Sequence, residues 1–282
     1  MREAPGSRRR AAHAAARLAG YTLAAALAAA MLAPFLWMLS TSLMSELEVY
    51  RYPPPLVPAR PQWSNYPSAL TAMPFHLFFW NSVVLAAFTV LGQTLTGAMA
   101  GYAFARYRFA GSRALFLAYL GTVMVPAVVL LIPRFLLVDA LGGVDTIAGL
   151  VSTELVAVWG IFLMRQFFLT IPRDTEEAAR VDGAGEWTIF WRVALPLARP
   201  ALVTLSLFAF IDAWKNFLWP LLITRSVERR VVEVGIASFK GLYYDNWPFQ
   251  MAAALAALLP VLAVFLAAQR HVLRGIQLTG LR

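Results

Sequence analysis

Six apolar stretches, each near the ~20 residues that a helix needs to cross a bilayer, dictate what this chain can become. They run from Leu18 to Leu39, Phe79 to Ala103, Ala114 to Val138, Ile147 to Phe168, Ala201 to Thr224 and Phe249 to Ala268. Backbone polar groups in hydrocarbon must find partners within their own segment, so each stretch is expected to be helical. The third contains Pro126 and Pro133, which predicts a kink. The fold class is therefore all-α: a polytopic membrane protein with six transmembrane helices. Composition agrees, because 60% of the residues are hydrophobic and only 14% charged, whereas soluble domains carry about a quarter charged residues. The absence of cysteine excludes disulfides, iron–sulfur clusters and thiol chemistry. His13, His76 and His271 lie far apart in sequence and suggest no metal site.

Six crossings place both termini on one side, and the positive charges choose it. Arg2, Arg8, Arg9, Arg10 and Arg17 precede the first stretch, and Arg106, Arg108 and Arg113 follow the second. Arg165, Arg173, Arg180, Arg192 and Arg199 follow the fourth, and Arg270, Arg274 and Arg282 close the chain. The other side holds only Arg51, Arg60, Arg225, Arg229, Arg230 and Lys240. Positive residues stay inside, so both termini are expected to be cytoplasmic. The net charge of +9 is thus a matter of topology rather than of a nucleic-acid partner. A rival reading of the start, Arg8–Arg10 before an Ala-rich run as a cleavable leader, conflicts with the length of the run. Residues 1–17 are expected to form a cytoplasmic tail and residues 18–282 the membrane domain.

Two outer segments are substantial. Ser45 to Phe75 is Pro-rich (Pro53, Pro54, Pro55, Pro58, Pro61) and is expected to be extended and partly ordered. Arg225 to Pro248 carries Tyr243, Tyr244 and Trp247. The inner segment 170–200 is the most informative of all. Asp174 followed by Glu177 has the form of a capping box, and Glu176 and Glu177 suit the positive end of a helix. A helix is expected from Thr175 to Asp182, with Gly183 as its left-handed stop. A second is expected from Glu186 to Leu195, with Pro196 breaking the chain before the fifth stretch. Trp187, Phe190 and Trp191 would equally suit an amphipathic helix lying in the membrane interface.

This segment resembles the EAA loop of ABC importer permeases: Glu177-Ala178-Ala179, three residues, Gly183, nine residues, Val193, one residue, then Leu195-Pro196. Val193 stands where isoleucine is more usual. The chain lacks the G-x-x-x-x-G-K-[ST] phosphate loop. The resemblance implies a non-catalytic subunit whose cytoplasmic elbow docks on a separate ATPase. Its contacts would be Glu177, Ala178, Ala179, Asp182, Gly183, Val193, Leu195 and Pro196. No cofactor is expected on this chain, and ATP and magnesium would be used by the partner. The implied partners are a second permease subunit, two ATPase subunits, an extracytoplasmic solute-binding protein and membrane lipid, with no nucleic acid. The implied location is the bacterial inner membrane. The stretch Ala213 to Leu222 and the segment from Leu259-Pro260 to Leu273-Arg274-Gly275 are similar to the maltose-type carbohydrate branch. Lys215 and the tail Leu278 to Arg282 depart from that pattern. Glycerol-3-phosphate importers share it.

Polar residues inside spans are costly and tend to face the bundle interior or a path. Asn81, Gln93, Glu154, Asp212, Lys215 and Asn216 are the candidates. Asp212 and Lys215, three apart, would share a helix face and neutralise each other; Glu154 would pair with a second permease subunit. Trp214 and Trp219 would stack on a sugar ring or anchor the outer interface. A secondary transporter is disfavoured, since no inverted repeat is visible. A membrane enzyme is disfavoured, since acids, bases and histidines do not cluster.

Overall fold

The computed structural model describes residues 5–241 and 245–279. Arg2, Tyr243, Tyr244, Gly280, Leu281 and Arg282 lie outside the described residues, as do the side chains of Arg8–Arg10, Arg270 and Arg274. Helix is the only regular secondary structure among the described residues. The chain divides into two compact units, residues 1–69 with 239–255, and residues 70–238 with 256–282.

The first unit opens with α1 (Pro5–Ser42), whose span Arg17–Ser42 is long and apolar enough to cross a membrane. The following Pro-rich segment is more ordered than extended chain. Ser45 and Glu48 form a reciprocal capping box that starts α2 (Glu46–Val49). The Glu48 carboxylate also accepts from the Ala59 amide (3.0 Å). The Ser45 and Ala59 amides hold it below the usual glutamate range. Asn65 opens α3 (Asn65–Ala72) and donates to the carbonyls of Ser42 and Met44, both at 2.9 Å, which satisfies the end of α1.

The second unit is built on α4 (Phe75–Arg106), a single 32-residue helix. The third stretch is not one span but two arms, α5 (Ser112–Gly121) and α6 (Leu131–Ala140), with short 3-10 turns between them. The arms bend by 93° around Pro126, a far sharper turn than a kink. Pro126 has no N–H to continue a helix and holds extended backbone. Pro133 sits in the first turn of α6, where a missing N–H costs little.

The fourth stretch is also broken, into α7 (Ile147–Ser152) and α8 (Val158–Thr170). The carbonyls freed in the break are met by α4. Gln93 donates to the Glu154 carbonyl (2.9 Å) and Thr96 to that of Leu155 (3.2 Å). Helices α4 and α8 pack closely at Gly101, where a Cβ would lie 2.7 Å from Met164 Cβ and 2.8 Å from the Arg165 nitrogen.

The elbow follows: α9 (Asp174–Val181), α10 (Glu186–Ile189), a π-turn over Phe190–Ala194, and α11 (Leu195–Leu197). The fifth stretch is α12 (Arg199–Trp214) and α13 (Leu218–Ile223), separated at Lys215–Phe217. Next come α14 (Val232–Ala237) and α15 (Trp247–Thr279). Three described helices are long and apolar enough to cross a membrane, and five spans result if each bent pair counts as one. The six continuous spans expected from hydropathy are therefore interrupted at three places. Hydropathy registers apolar length and is blind to breaks whose polar groups a neighbouring helix satisfies.

Two apolar clusters hold the second unit together. One joins Leu85, Val138, Leu150, Trp214, Trp219 and Ile223. The other joins Tyr102, Met164, Phe168, Phe190, Ala194 and Leu205 and reaches into the elbow.

Candidate functional site

The elbow is a helix–turn–helix, close to the expected boundaries, and Gly183 carries the left-handed turn at φ +85°. The Ala184 amide reaches back to the Ala179 carbonyl (3.0 Å) and the Gly183 amide to that of Arg180 (3.1 Å). That double bond pattern is how a glycine closes a helix end. Two expectations need correction. Asp174 lies inside α9 rather than before it, and no side chain caps that helix, so the capping box is not formed. Pro196 does not break the chain. The π-turn before it carries a Leu195 amide to Phe190 carbonyl bond, and the axis turns by 77° only at Ala198. The elbow also packs into the protein: Ile189 is buried, and Phe190 and Ala194 belong to the second cluster. Trp187 and Trp191 remain exposed.

Of the docking candidates, Glu177, Ala178, Asp182 and Gly183 are exposed, while Ala179, Val193, Leu195 and Pro196 are half-buried. Glu176, read from the sequence only as an acid suited to the helix start, is buried and paired. Its carboxylate accepts from Arg106 Nε at 2.7 Å, with both side chains only 6% exposed. The Tyr102 hydroxyl donates to its second oxygen at 3.3 Å, and Arg106 Nη2 donates to the Ile171 carbonyl at 3.0 Å. A second, more open link joins Tyr107 Oη and Arg180 to Glu186. Arg180 and then Tyr107 hold the Glu186 carboxyl below the usual glutamate range. The sequence signal for the buried pair was faint: an Arg at the end of an apolar helix reads as an interfacial anchor.

The polar residues within the spans fall into two groups. Asn81 is buried, and its amide donates to the carbonyls of Glu228 and Arg230 at 2.7 and 2.9 Å, fastening the segment after α13 to α4. Glu154 pairs with Arg134 of the same chain at 2.5 Å, and Arg134 also meets Thr153 and covers the Trp219 ring. Arg134, inside the third stretch, was not among the candidates. Trp214 and Trp219 are core residues, 2% and 1% exposed, and their indole N–H groups donate to the carbonyls of Ala257 and Leu150. Neither ring is open to a solute. By contrast Asp212 and Lys215 are exposed, with Asn216 half-buried beside them at the break after α12. No ion pair joins Asp212 to Lys215 among the described residues. Lys215 instead acts on Glu233, a half-buried carboxyl that burial pushes up and Lys215 draws back. Exposed Phe208 and half-buried Thr204 continue this face along α12, and Phe208 meets Trp159 edge-on. No group of His, Cys, Asp and Glu able to hold a metal occurs among the described residues.

Residues 93–278, from Gln93 on α4, which meets the break after α7, through the elbow and nearly to the end of α15, match the family described as binding-protein-dependent transport system inner membrane component. The chain belongs to this family. It is a non-catalytic membrane component of a transport system that depends on a separate binding protein. Among its relatives is the arabinooligosaccharides transport system permease protein AraQ of Bacillus subtilis, 34% identical over 73% of both chains. The diacetylchitobiose uptake system permease protein NgcG of Streptomyces coelicolor is 31% identical over 86% of this chain and 81% of its own. The sn-glycerol-3-phosphate transport system permease protein UgpE of Rhizobium meliloti is 31% identical over 86% and 89%. A crystal structure of a bacterial ABC transporter involved in the import of alginate shares the fold. Its TM-score is 0.79 at 24% identity, covering 96% of this chain and 99% of that one.

Proposed function

We propose that this family member is one permease subunit of an ATP-driven importer for a sugar or oligosaccharide. The elbow, on the cytoplasmic side with both termini, receives the ATPase. The observation that carries the coupling role is the exposed face of α9. Glu177 and Ala178 on α9, and Asp182 just past its end, are exposed, while Glu176 on the same helix is buried and anchors it. Small Ala178 admits close approach of another surface, and Glu177 offers a partner to a basic group there. The ATPase, with its ATP and magnesium, is a separate subunit. A second permease subunit completes the path, and an extracytoplasmic protein delivers the solute.

The solute class rests on the relatives named for arabinooligosaccharides and diacetylchitobiose. Asp212, Lys215 and Asn216 are the groups we assign to the path. They are open, not paired with one another, and sit in a segment where lipid would not tolerate them. The relative named for sn-glycerol-3-phosphate supports a second reading, an anionic solute drawn to Lys215. Two measurements test the proposal. Cells lacking the chain should lose uptake of labelled arabinooligosaccharide or chitobiose derivative; loss of glycerol-3-phosphate uptake alone would favour the second reading. Glu177→Lys should weaken retention of the ATPase in detergent pull-downs, and an unchanged complex would remove Glu177 from the docking surface.

A further inference from the structure

Glu176 and Glu177 are sequence neighbours with opposite fates, and the buried one joins three elements. Arg106 is the last residue of α4. Its Nε binds Glu176 in the first turn of α9, and its Nη2 binds the carbonyl of Ile171, the residue that ends α8. Besides the chain link Ile171-Pro172-Arg173, α9 is held by the weaker Tyr102–Glu176 bond and by the exposed Arg180–Glu186–Tyr107 link; the guanidinium is the buried charged tie that binds α9 to the ends of both α4 and α8. With it, the ends of α4 and α8 and the start of α9 share one buried charge centre. The α4–α8 pair is itself locked by the contact at Gly101.

We propose that the Arg106–Glu176 pair makes α9, α4 and α8 one rigid body. Both side chains are then positioning residues that pass displacement of the elbow directly into the longest helix of the second unit. A buried ion pair contributes little net stability over an apolar pair, but breaking it leaves an uncompensated charge. It therefore resists relative movement of the elements it joins. The inference rests on the elbow being the ATPase-docking element.

The test uses the assembled importer. The chain has no cysteine, so spin labels at Val181→Cys on α9 and Leu91→Cys on α4, both exposed positions, report a single distance. In the otherwise wild-type complex that distance should be the same with and without ATP. In Glu176→Gln it should broaden or shift on ATP binding. Solute imported per ATP hydrolysed should fall by about tenfold, with the ATPase still retained. Arg106→Lys, which keeps the charge but cannot bind Glu176 and Ile171 together, should give the same loss. A nucleotide-dependent distance in the wild-type complex would overturn the rigid body whatever the variants do. Unchanged spacing and unchanged coupling in both variants would overturn the positioning role. Failure of the wild-type chain to capture any ATPase would bring down the functional reading and the clamp's role with it, a result distinct from a mobile spacing.

Discussion

At the elbow, Arg106 and Glu176 bury their charges 2.7 Å apart; at the break after α12, Asp212 and Lys215 leave theirs on the surface, not paired with each other. Both lie in or beside apolar segments, where a charge without a partner is expensive. The first place resolves the cost inside the chain, and the product is rigidity. The second settles it only in part: Lys215 acts on half-buried Glu233, while Asp212 makes no ion pair among the described residues, which leaves a place for water in a path, a solute or another subunit. Charge settled within the fold marks what must not move, and charge left open marks where something else arrives.

The widest expected separation between the two places is in stability. Arg106→Met strands buried Glu176 beside Tyr102 of the second apolar cluster and should cost about 3 kcal/mol. A lowered unfolding midpoint in detergent would show it, read against Asp212→Asn on the same chain. Equal midpoints for the two variants would erase the distinction drawn here.

Next in size is the functional counterpart. Asp212→Asn and Lys215→Met should leave the unfolding midpoint near wild type, since neither side chain is buried or paired with the other. Uptake should fall by about tenfold, the scale of a lost bond to a charged group. Normal uptake in both would move these residues from the path to an inert surface. The two variants also divide the solute readings: an anionic solute would suffer more from the loss of Lys215.

Much of this was legible in the sequence, and the limits have physical causes. The elbow's turn was readable because Gly183 is a local requirement of φ, written in one residue. The apolar spans within α1, α4 and α15 were readable because apolar length is additive along the chain, although the helices run on beyond them. The break at Glu154 was hidden because it depends on Gln93 and Thr96 arriving from another helix. The Arg106–Glu176 and Arg134–Glu154 pairs were hidden for the same reason, with partners 70 and 20 positions apart. Asp174 and Glu177 carried the spacing of a capping box, yet the box formed at Ser45 and Glu48. Spacing permits such a box; the backbone at the helix entrance decides it. Ser45 is extended there, whereas Arg173, just before α9, is helical.

A smaller effect isolates the turn itself. Gly183 and Gly185 both face open space, so a methyl group meets nothing at either. They differ in backbone angle, φ +85° against −73°. Gly183→Ala should therefore cost about 1 kcal/mol and Gly185→Ala almost nothing. Retention of the ATPase by the two variants should follow the same order. If they behave alike, the elbow does not depend on its left-handed residue.

The smallest effect separates the buried clamp from its exposed neighbour. Arg180 and Glu186 pair at 2.8 Å, but their side chains are 48% and 46% exposed, so solvent screens them. Glu186 has its carboxyl held below the ordinary value of 4.5 by Arg180 and Tyr107. A lowered carboxyl stabilises the fold above that ordinary value and loses its contribution as pH falls through the lowered one. The loss should be only about 0.5 kcal/mol, and salt should diminish it further. Unfolding midpoints of wild type and Glu186→Gln, compared from about pH 6 downward, should converge as the wild-type advantage disappears. A difference that persists at low pH would mean that Glu186 acts through shape rather than charge, and the contrast with Glu176 would then rest on burial alone.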